Sequence, residues 1–498
     1  MIKMKTIKSL TEAEIAELPK LPDEWKWARI GEIHILKSDK YKGSGESLFY
    51  VGLEHINKDK GTLTEDVKVD EINTVKNSFK KGDLLYGKLR PYLNKVYLAN
   101  EDGVCSTDIL VFESTPSLNL NYSKYFFLSY KFVNDMTQNS SGVNLPRVST
   151  KYLQEYPFPI APLPEQRAIV TKIDLLFSEL DNGIANLKLA QEQLKVYRQA
   201  VLKKAFEGEL TKKWREQQTD LPDEGDLLEQ IRKEREEAAK SAGKNVKNIK
   251  PPTEMELAKL PIMPKEWMWV KLDYLGDLGR GKSKHRPRND KILFGGKYPF
   301  IQTGEVKAAN HTIKSFEKTY SDFGLAQSKL WPKGTLCITI AANIAETAFL
   351  GFEGCFPDSI VGFTAIENLV VKEYVYYFFM GNQSKIEAFA PATAQKNINL
   401  NILENLLIPF CSLPEQQTIV QEIETRLSVC DKIEQDIETN LEKAEALRQS
   451  ILKKAFEGKL LNEKELAEVR GAEDWEPAEV LLERIKAERA KTERSDKT

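Results

Sequence analysis

The chain has 498 residues, 41% hydrophobic and 9% aromatic, enough apolar material for more than one core and too much for a disordered chain. Its 72 Lys and Arg against 74 Asp and Glu give a net charge of −2, so it lacks the overall basic field of a purely electrostatic nucleic-acid binder. No stretch approaches the roughly 20 apolar residues of a membrane span, and Met1 to Lys8 lacks the apolar core of a secretory signal, so a cytoplasmic protein with no membrane partner is expected.

In chain order, the first element is an entry segment, Leu21-Pro-Asp-Glu-Trp-Lys-Trp27, whose tryptophans are expected as core anchors. Short β-rich runs follow at Leu84 to Tyr86 and Lys95 to Leu98. Between them Tyr86-Gly-Lys-Leu-Arg-Pro-Tyr-Leu-Asn-Lys95 places Lys88, Arg90, Tyr92, Asn94 and Lys95 at or near a hairpin. Arginine and lysine pair with guanine edges or phosphates, and asparagine pairs with adenine, so these five are candidate DNA-contacting groups. An aromatic helical stretch, Tyr122-Ser-Lys-Tyr-Phe-Phe-Leu128, completes a mixed globular segment.

From Leu163 the pattern changes. Ile169, Ile173, Leu176, Leu180, Ile184, Leu187, Leu194 and Val201 step by three, four or seven, which reads as a coiled-coil seam. Pro164 and Glu165 supply its start signal and Gly208 its stop; some 43 residues at about 1.5 Å each make a rod of roughly 65 Å. A charged connector, Lys212 to Pro252, carries Leu227-Leu-Glu-Gln-Ile-Arg-Lys-Glu-Arg235.

The second half opens with Met263-Pro-Lys-Glu-Trp-Met-Trp269. Gly276-Asp-Leu-Gly-Arg-Gly-Lys-Ser283 fits the phosphate-loop pattern formally, but the polar, cationic stretch after it, broken by Pro287, is no helix start. Arg280, Lys282, Lys284, His285, Arg286 and Arg288 fall within nine residues with no acid among them. Such a run is a solvated loop or a phosphate clamp. Gln302, Thr303, Lys307 and Asn343 join it as candidate DNA-contacting groups. Pro357-Asp358 lacks the downstream Glu-x-Lys of a nuclease core, and Asp358 matches Asp108 of the first half, so a structural role is expected for both. β-rich runs at Leu336 to Ile340 and Ala348 to Phe352, an aromatic helix at Glu373 to Met380, and a second seam through Ile419, Ile423, Leu427, Cys430, Ile437, Ala444 and Ile451 repeat the earlier order.

The repetition is literal at the rod ends. Arg198-Gln-Ala-Val-Leu-Lys-Lys-Ala-Phe-Glu-Gly-Glu-Leu210 returns as Arg448-Gln-Ser-Ile-Leu-Lys-Lys-Ala-Phe-Glu-Gly-Lys-Leu460, identical at 10 of 13 positions after a shift of 448 − 198 = 250. Leu163-Pro-Glu-Gln166 returns as Leu413-Pro-Glu-Gln416, Cys105 with Asp108 as Cys355 with Asp358, and Leu227 to Arg235 as Leu481 to Arg489. Thr253-Glu-Met-Glu-Leu-Ala-Lys-Leu-Pro261 resembles Thr11-Glu-Ala-Glu-Ile-Ala-Glu-Leu-Pro19, so the repeat is cyclic and the termini cut it within a connector.

The expected fold class is α+β, two globular domains joined by two long antiparallel coiled-coil helices, pseudo-two-fold with cyclic repeat order. Its segments are 1–162, 163–210, 211–262, 263–412, 413–460 and 461–498. A shift of 252 through the shared Lys-Gly turns places Ala342 where Arg90 stands: the scaffold repeats while the candidate reading groups do not. Five cysteines without a Cys-x-x-Cys pair and four scattered histidines give neither zinc spacing nor a disulfide framework. Neither methyltransferase Asn-Pro-Pro-Tyr nor a dinucleotide Gly-x-Gly-x-x-Gly occurs, and no catalytic residue or bound metal is expected. The competing reading is a coiled-coil scaffold whose domains bind proteins; it leaves the divergent cationic loops unexplained.

Together the paired Leu-Pro-Glu-Gln helix starts, the Leu-Lys-Lys-Ala-Phe-Glu-Gly rod ends and the cyclic order resemble the specificity subunit of type I restriction-modification systems. Gly279 to Asp290 followed by Tyr298-Pro-Phe-Ile-Gln-Thr-Gly304 also resembles a recognition-domain type of that family. The resemblance implies a non-catalytic subunit whose two target-recognition domains each read one half of a split, asymmetric double-stranded DNA site. It implies helices that set the spacing and dock two modification (methyltransferase) subunits. S-adenosylmethionine is then expected on those partners, and ATP and Mg on additional restriction (translocase/nuclease) subunits.

Overall fold

Two helices of 44 residues, Leu163–Phe206 and Leu413–Phe456, dominate the computed structural model, which describes residues 7–65, 67, 69–243, 245–246, 250–390 and 397–495. Pro164 and Pro414 occupy first turns, where a missing N–H leaves no helical bond unmade. Lys203, Lys204, Lys453 and Lys454 occupy the last turns, at the negative end of each helix dipole. Gly208 and Gly458 then leave the helix at φ +76° and +70°. A Cβ on Gly458 would stand 2.2 Å from Pro22, and one on Gly208 2.6 Å from Pro264, so both backbone twist and close approach demand glycine.

The chain forms two compact units, residues 1–188 with 438–498 and residues 189–437. The unit boundary cuts both long helices, so neither helix is a separate segment: an amphipathic stripe is stable only where it is covered. In the first unit Ile169, Ile173 and Phe177 share a core with Ile451, Leu452 and Phe456, and Arg448 pairs with Asp181 while lying over the Phe177 ring. In the second, Val201, Leu202 and Phe206 pack with Ile419, Val420 and Ile423, and Arg198 bridges Asp431 at 2.8 Å and Glu434 at 2.7 Å. The helices run antiparallel in each.

Each globular part is closed by pairing its first strand with its last. Lys26–Arg29 pairs antiparallel with Pro157–Ile160, and Met268–Lys271 with Leu407–Phe410, setting Trp27 opposite Pro159 and Trp269 opposite Pro409. Trp25 and Trp267 are buried, as expected of core anchors. A further antiparallel set also repeats: Val96–Leu98, Leu84–Gly87 and Ile109–Phe112 in the first unit, Thr347–Leu350, Leu336–Thr339 and Ile360–Ala365 in the second. The aromatic stretches lie in the helices Leu120–Phe127 and Lys372–Glu387. The Tyr122 and Tyr374 hydroxyls donate to the Pro159 and Pro409 carbonyls, and Phe456 and Phe206 stand edge-on to them, 5.1 Å between ring centroids in each case.

The connector copies, Glu224–Ser241 and Ala478–Ser495, are structural members rather than solvated linkers. Leu227 and Ile231 enter the second core; Leu481 and Ile485 enter the first. Arg235 donates to the Asp273 carbonyl and Arg489 to the Gly31 carbonyl, equivalent positions in the two units. The cyclic order is therefore physical: the carboxyl-terminal connector completes the unit that the amino-terminal domain begins.

One buried group has no counterpart. His34 lies among Phe112, Phe127 and Phe158, with Nε2 2.8 Å from Ser123 Oγ and Nδ1 3.2 Å from the Ile30 carbonyl. Burial lowers its pKa to about 4, so the unfolded chain binds the extra proton between there and the ordinary value near 6.5. This contribution is complete above about pH 6.5 and lost as pH falls through 4, a swing of about 3 kcal/mol. Urea unfolding of the first unit is expected to show it, with a flatter pH profile in His34→Gln; equal profiles would contradict the assignment. The five cysteines are buried and unpaired, and no described helix is long and apolar enough to cross a membrane.

Candidate DNA-reading sites

Part of each candidate site is a loop between neighbouring strands of the repeated sheet. In the first unit the loop joins Leu84–Gly87 to Val96–Leu98 through a 3₁₀ turn at Pro91–Leu93, flanked by Arg90 at φ 50° and Asn94 at φ 46°. In the second the loop joins Leu336–Thr339 to Thr347–Leu350, with Ala342 at φ 65° and Ala345 at φ 61°. Left-handed backbone is unfavourable for residues with a Cβ. Hydrogen bonds impose it: Lys88 N donates to the Asp108 carbonyl and Ile340 N to that of Ser359, both at 3.0 Å. Val148 N donates to the Lys88 carbonyl at 3.1 Å and Ile398 N to that of Ile340 at 3.0 Å. Arg90 and Ala342 hold equivalent positions with unlike side chains.

The five candidates of the first unit divide into two groups. Arg90 and Tyr92 are exposed, and Lys88 is half-buried with Nζ 3.8 Å from Asp108. Asn94, expected on the loop surface, is only 2% exposed and gives its amide to Asp59 at 3.0 Å, because the left-handed turn swings it inward. Lys95 is also turned in, donating to the Ile56 carbonyl, and desolvation lowers its pKa. These two brace the loop from within.

Arg147 was not legible as a site residue. It stands on the strand Arg147–Val148, bridged to Leu89, and its Nε and Nη2 each lie 3.1 Å from the Asp108 carboxylate, a two-pronged pair. Arg147, and next the Lys88 charge, hold the Asp108 carboxyl below its ordinary range against burial. Arg90 N donates to the Pro146 carbonyl at 2.7 Å, tying the loop to the hairpin that bears Val143, 100% exposed. Guanidinium, ammonium and an exposed aliphatic tip suit guanine edges, phosphates and thymine methyl groups respectively.

The basic loop of the second unit leaves the strand Gly276–Arg280, which pairs antiparallel with Ile360–Ala365; no helix follows it, so the phosphate-loop match is fortuitous. Arg280 Nε donates to the Asp358 carbonyl, and Arg288 Nη2 lies 2.8 Å from the Asp358 carboxylate. His285 is half-buried, 2.9 Å from Asp290 and edge-on to Phe323, so it shapes the loop. Arg286 caps the Ser283 carbonyl, while Lys282 and Lys284 are exposed. Arg288 and Gln302 line one cleft of about 560 Å³ with Phe294, Lys318 and Ser359. Thr303 begins the helix Thr303–Ala308, whose Lys307 reaches Asn343 at 3.2 Å, joining two candidates from distant segments.

Residues 22–189 and 264–443 match the family model described as type I restriction modification DNA specificity domain. The chain is 32% identical over 254 residues to the specificity subunit of the type I restriction enzyme EcoDI of Escherichia coli, covering 49% of this chain and 55% of that protein. It is 26% identical over 379 residues to the EcoBI specificity subunit of the same species, covering 74% and 72%. Among solved structures, one from work on assembly and conformational transition of a type I R-M system superposes with a TM-score of 0.66 at 18% identity, over 89% of this chain and 100% of the other. The HsdS subunit of Thermoanaerobacter tengcongensis superposes at 0.58 with 19% identity, over 89% and 98%.

Proposed function

The chain belongs to the type I restriction-modification DNA specificity family, and from that premise we propose that it is the non-catalytic subunit that reads a split, asymmetric double-stranded DNA site, one half per unit. One observation carries the reading. Two equivalent loops share backbone bonds and left-handed turns yet carry Arg90 in one copy and Ala342 in the other, with cations supplied from different neighbouring segments. A frame that repeats while its polar groups differ is suited to two unlike half-sites.

In this reading Lys88, Arg90, Tyr92 and Arg147 face one half-site, with Asn94 and Lys95 holding the loop. Arg280, Lys282, Lys284, Arg286, Arg288, Gln302, Thr303, Lys307 and Asn343 face the other, with His285 as loop support. The chain docks two methyltransferase subunits, which bring S-adenosylmethionine; restriction subunits bring ATP and Mg. The test exchanges residues 263–410 for another recognition domain in cells that supply the methyltransferase subunits, and maps methylated adenines across the genome. A split motif changed in one half is the expected result; change in both halves, or in neither, would overturn the reading.

A further inference from the structure

Asp108 and Asp358 stand one register position apart in the repeat: Asp108 immediately precedes its strand, whereas Ser359 holds that place in the second unit and Asp358 stands just before it. Each precedes the strand that pairs with the site's first loop strand, Ile109–Phe112 in one unit and Ile360–Ala365 in the other. Each carboxylate holds an arginine, but the arginines arrive from opposite directions along the chain. Arg147 comes from a hairpin 39 residues after Asp108, and Arg288 from the basic loop 70 residues before Asp358. Each site has an aspartate beside this strand, offset by one residue between the units; the arm it holds is exchanged.

We propose that Asp108 and Asp358 are the positioning residues of the two reading sites, each fixing the arginine that meets a base edge and thereby setting discrimination at its own half-site. The proposal rests on the DNA-recognition reading above. An ion pair at a rim contributes little to stability, so folding alone gives weak reason for both copies to keep one. Orientation gives a better one. A guanidinium engaged through Nε and Nη2, as in Arg147, whose Nη1 also lies 3.4 Å from the Leu145 carbonyl, has its plane set, so less side-chain freedom is lost on binding. Arg288 is engaged through Nη2 alone and lines the cleft that also contains Gln302, where two planar groups face one space. The carboxylates themselves repel phosphate. They thus bias the held arginines away from the DNA backbone, which carries no sequence information, and toward base edges.

The test uses the full chain with its methyltransferase subunits and maps methylated adenines genome-wide for Asp108→Asn and Asp358→Asn. Each variant is expected to relax one half of the split motif, and the two to relax opposite halves, with the preference for the wild-type base over its alternatives at the affected position falling about 10-fold or more. A fault of folding alone would weaken methylation at every site without altering the motif; that outcome, an unchanged motif, or relaxation of both halves together overturns the proposal. Because Asp108 acts through Arg147, the double variant Asp108→Asn, Arg147→Ala is expected to discriminate no worse than Arg147→Ala; additive losses would contradict it. Should Asp108→Asn fail to assemble, Arg147→Lys removes the two-pronged geometry while sparing the carboxylate. It is expected to relax the same half, and an intact half overturns the proposal. Failure of the underlying DNA reading shows separately, as no split methylated motif with the unsubstituted chain, and it removes this proposal too.

Discussion

Glu415→Ala is expected to destabilise the second unit by about 3–5 kcal/mol, the usual cost of removing one partner from a buried ion pair. Glu415 is 1% exposed and accepts from Trp267 Nε1 at 2.9 Å, Thr211 Oγ1 at 2.7 Å and Arg215 Nη1. Three segments thus meet on one carboxylate: the domain entry, the connector and the start of the second long helix. The first unit repeats the arrangement more openly. Glu165 accepts from Trp25 Nε1 at 2.7 Å and Arg470 Nε at 3.3 Å. The Arg470 side chain is 43% exposed against 10% for Arg215, so once released it turns to water, and Glu165→Ala is expected to cost less, about 1–3 kcal/mol. For units of this size the larger loss corresponds to a fall in Tm on the order of 10 °C. Scanning calorimetry of the two variants checks both size and order; equal losses, or a change under about 1 kcal/mol for Glu415→Ala, would contradict the assignment.

The largest effect on DNA is expected from the basic loop. Lys282→Ala, Lys284→Ala and Arg286→Ala together remove three exposed cations while leaving Arg280 and Arg288 on Asp358. If all three neutralise phosphates, the slope of log affinity against log salt becomes shallower by about 0.9 for each, and affinity near physiological salt falls on the order of 100-fold. Phosphate contacts carry no base identity, so the methylated motif is expected to stay the same while binding weakens. Titrations of the triple variant in complex with its methyltransferase subunits, at several salt concentrations, measure the slope. An unchanged slope would show that the loop faces solvent.

The long helices, their ends and the repeat were readable because local pattern carries them: Ile169 to Val201 step at helical spacing, and Gly208 and Gly458 end identical heptapeptides. Of the tryptophans at each domain entry, Trp25 and Trp267 are core as read, whereas Trp27 and Trp269 are only half-buried. Glu165 and Glu415 were read only as residues favourable at a helix start, since their partners lie 140 to 305 residues away and no local pattern reveals them. Arg147 escaped for the same reason: it joins the Arg90 loop through a bridge to Leu89, a pairing made by tertiary structure. Asn94 misled because residue type announces hydrogen-bonding capacity, whereas a left-handed backbone decides which way it is spent. The connectors read as charged because few apolar positions among their described residues are deeply buried, Leu227 and Ile231 in one copy and Ala478, Leu481 and Ile485 in the other.

The left-handed turn shared by Arg90 and Ala342 separates two demands that usually conflict. The backbone penalty, about 1–2 kcal/mol for an L-residue, is borne by both side chains alike, and the strands on either side of the two turns pair in the same way. Folding is therefore nearly indifferent to what stands there. A substitution at a position held in this way leaves the surrounding strand pairings in place, so the side chain there is free to differ between the two units.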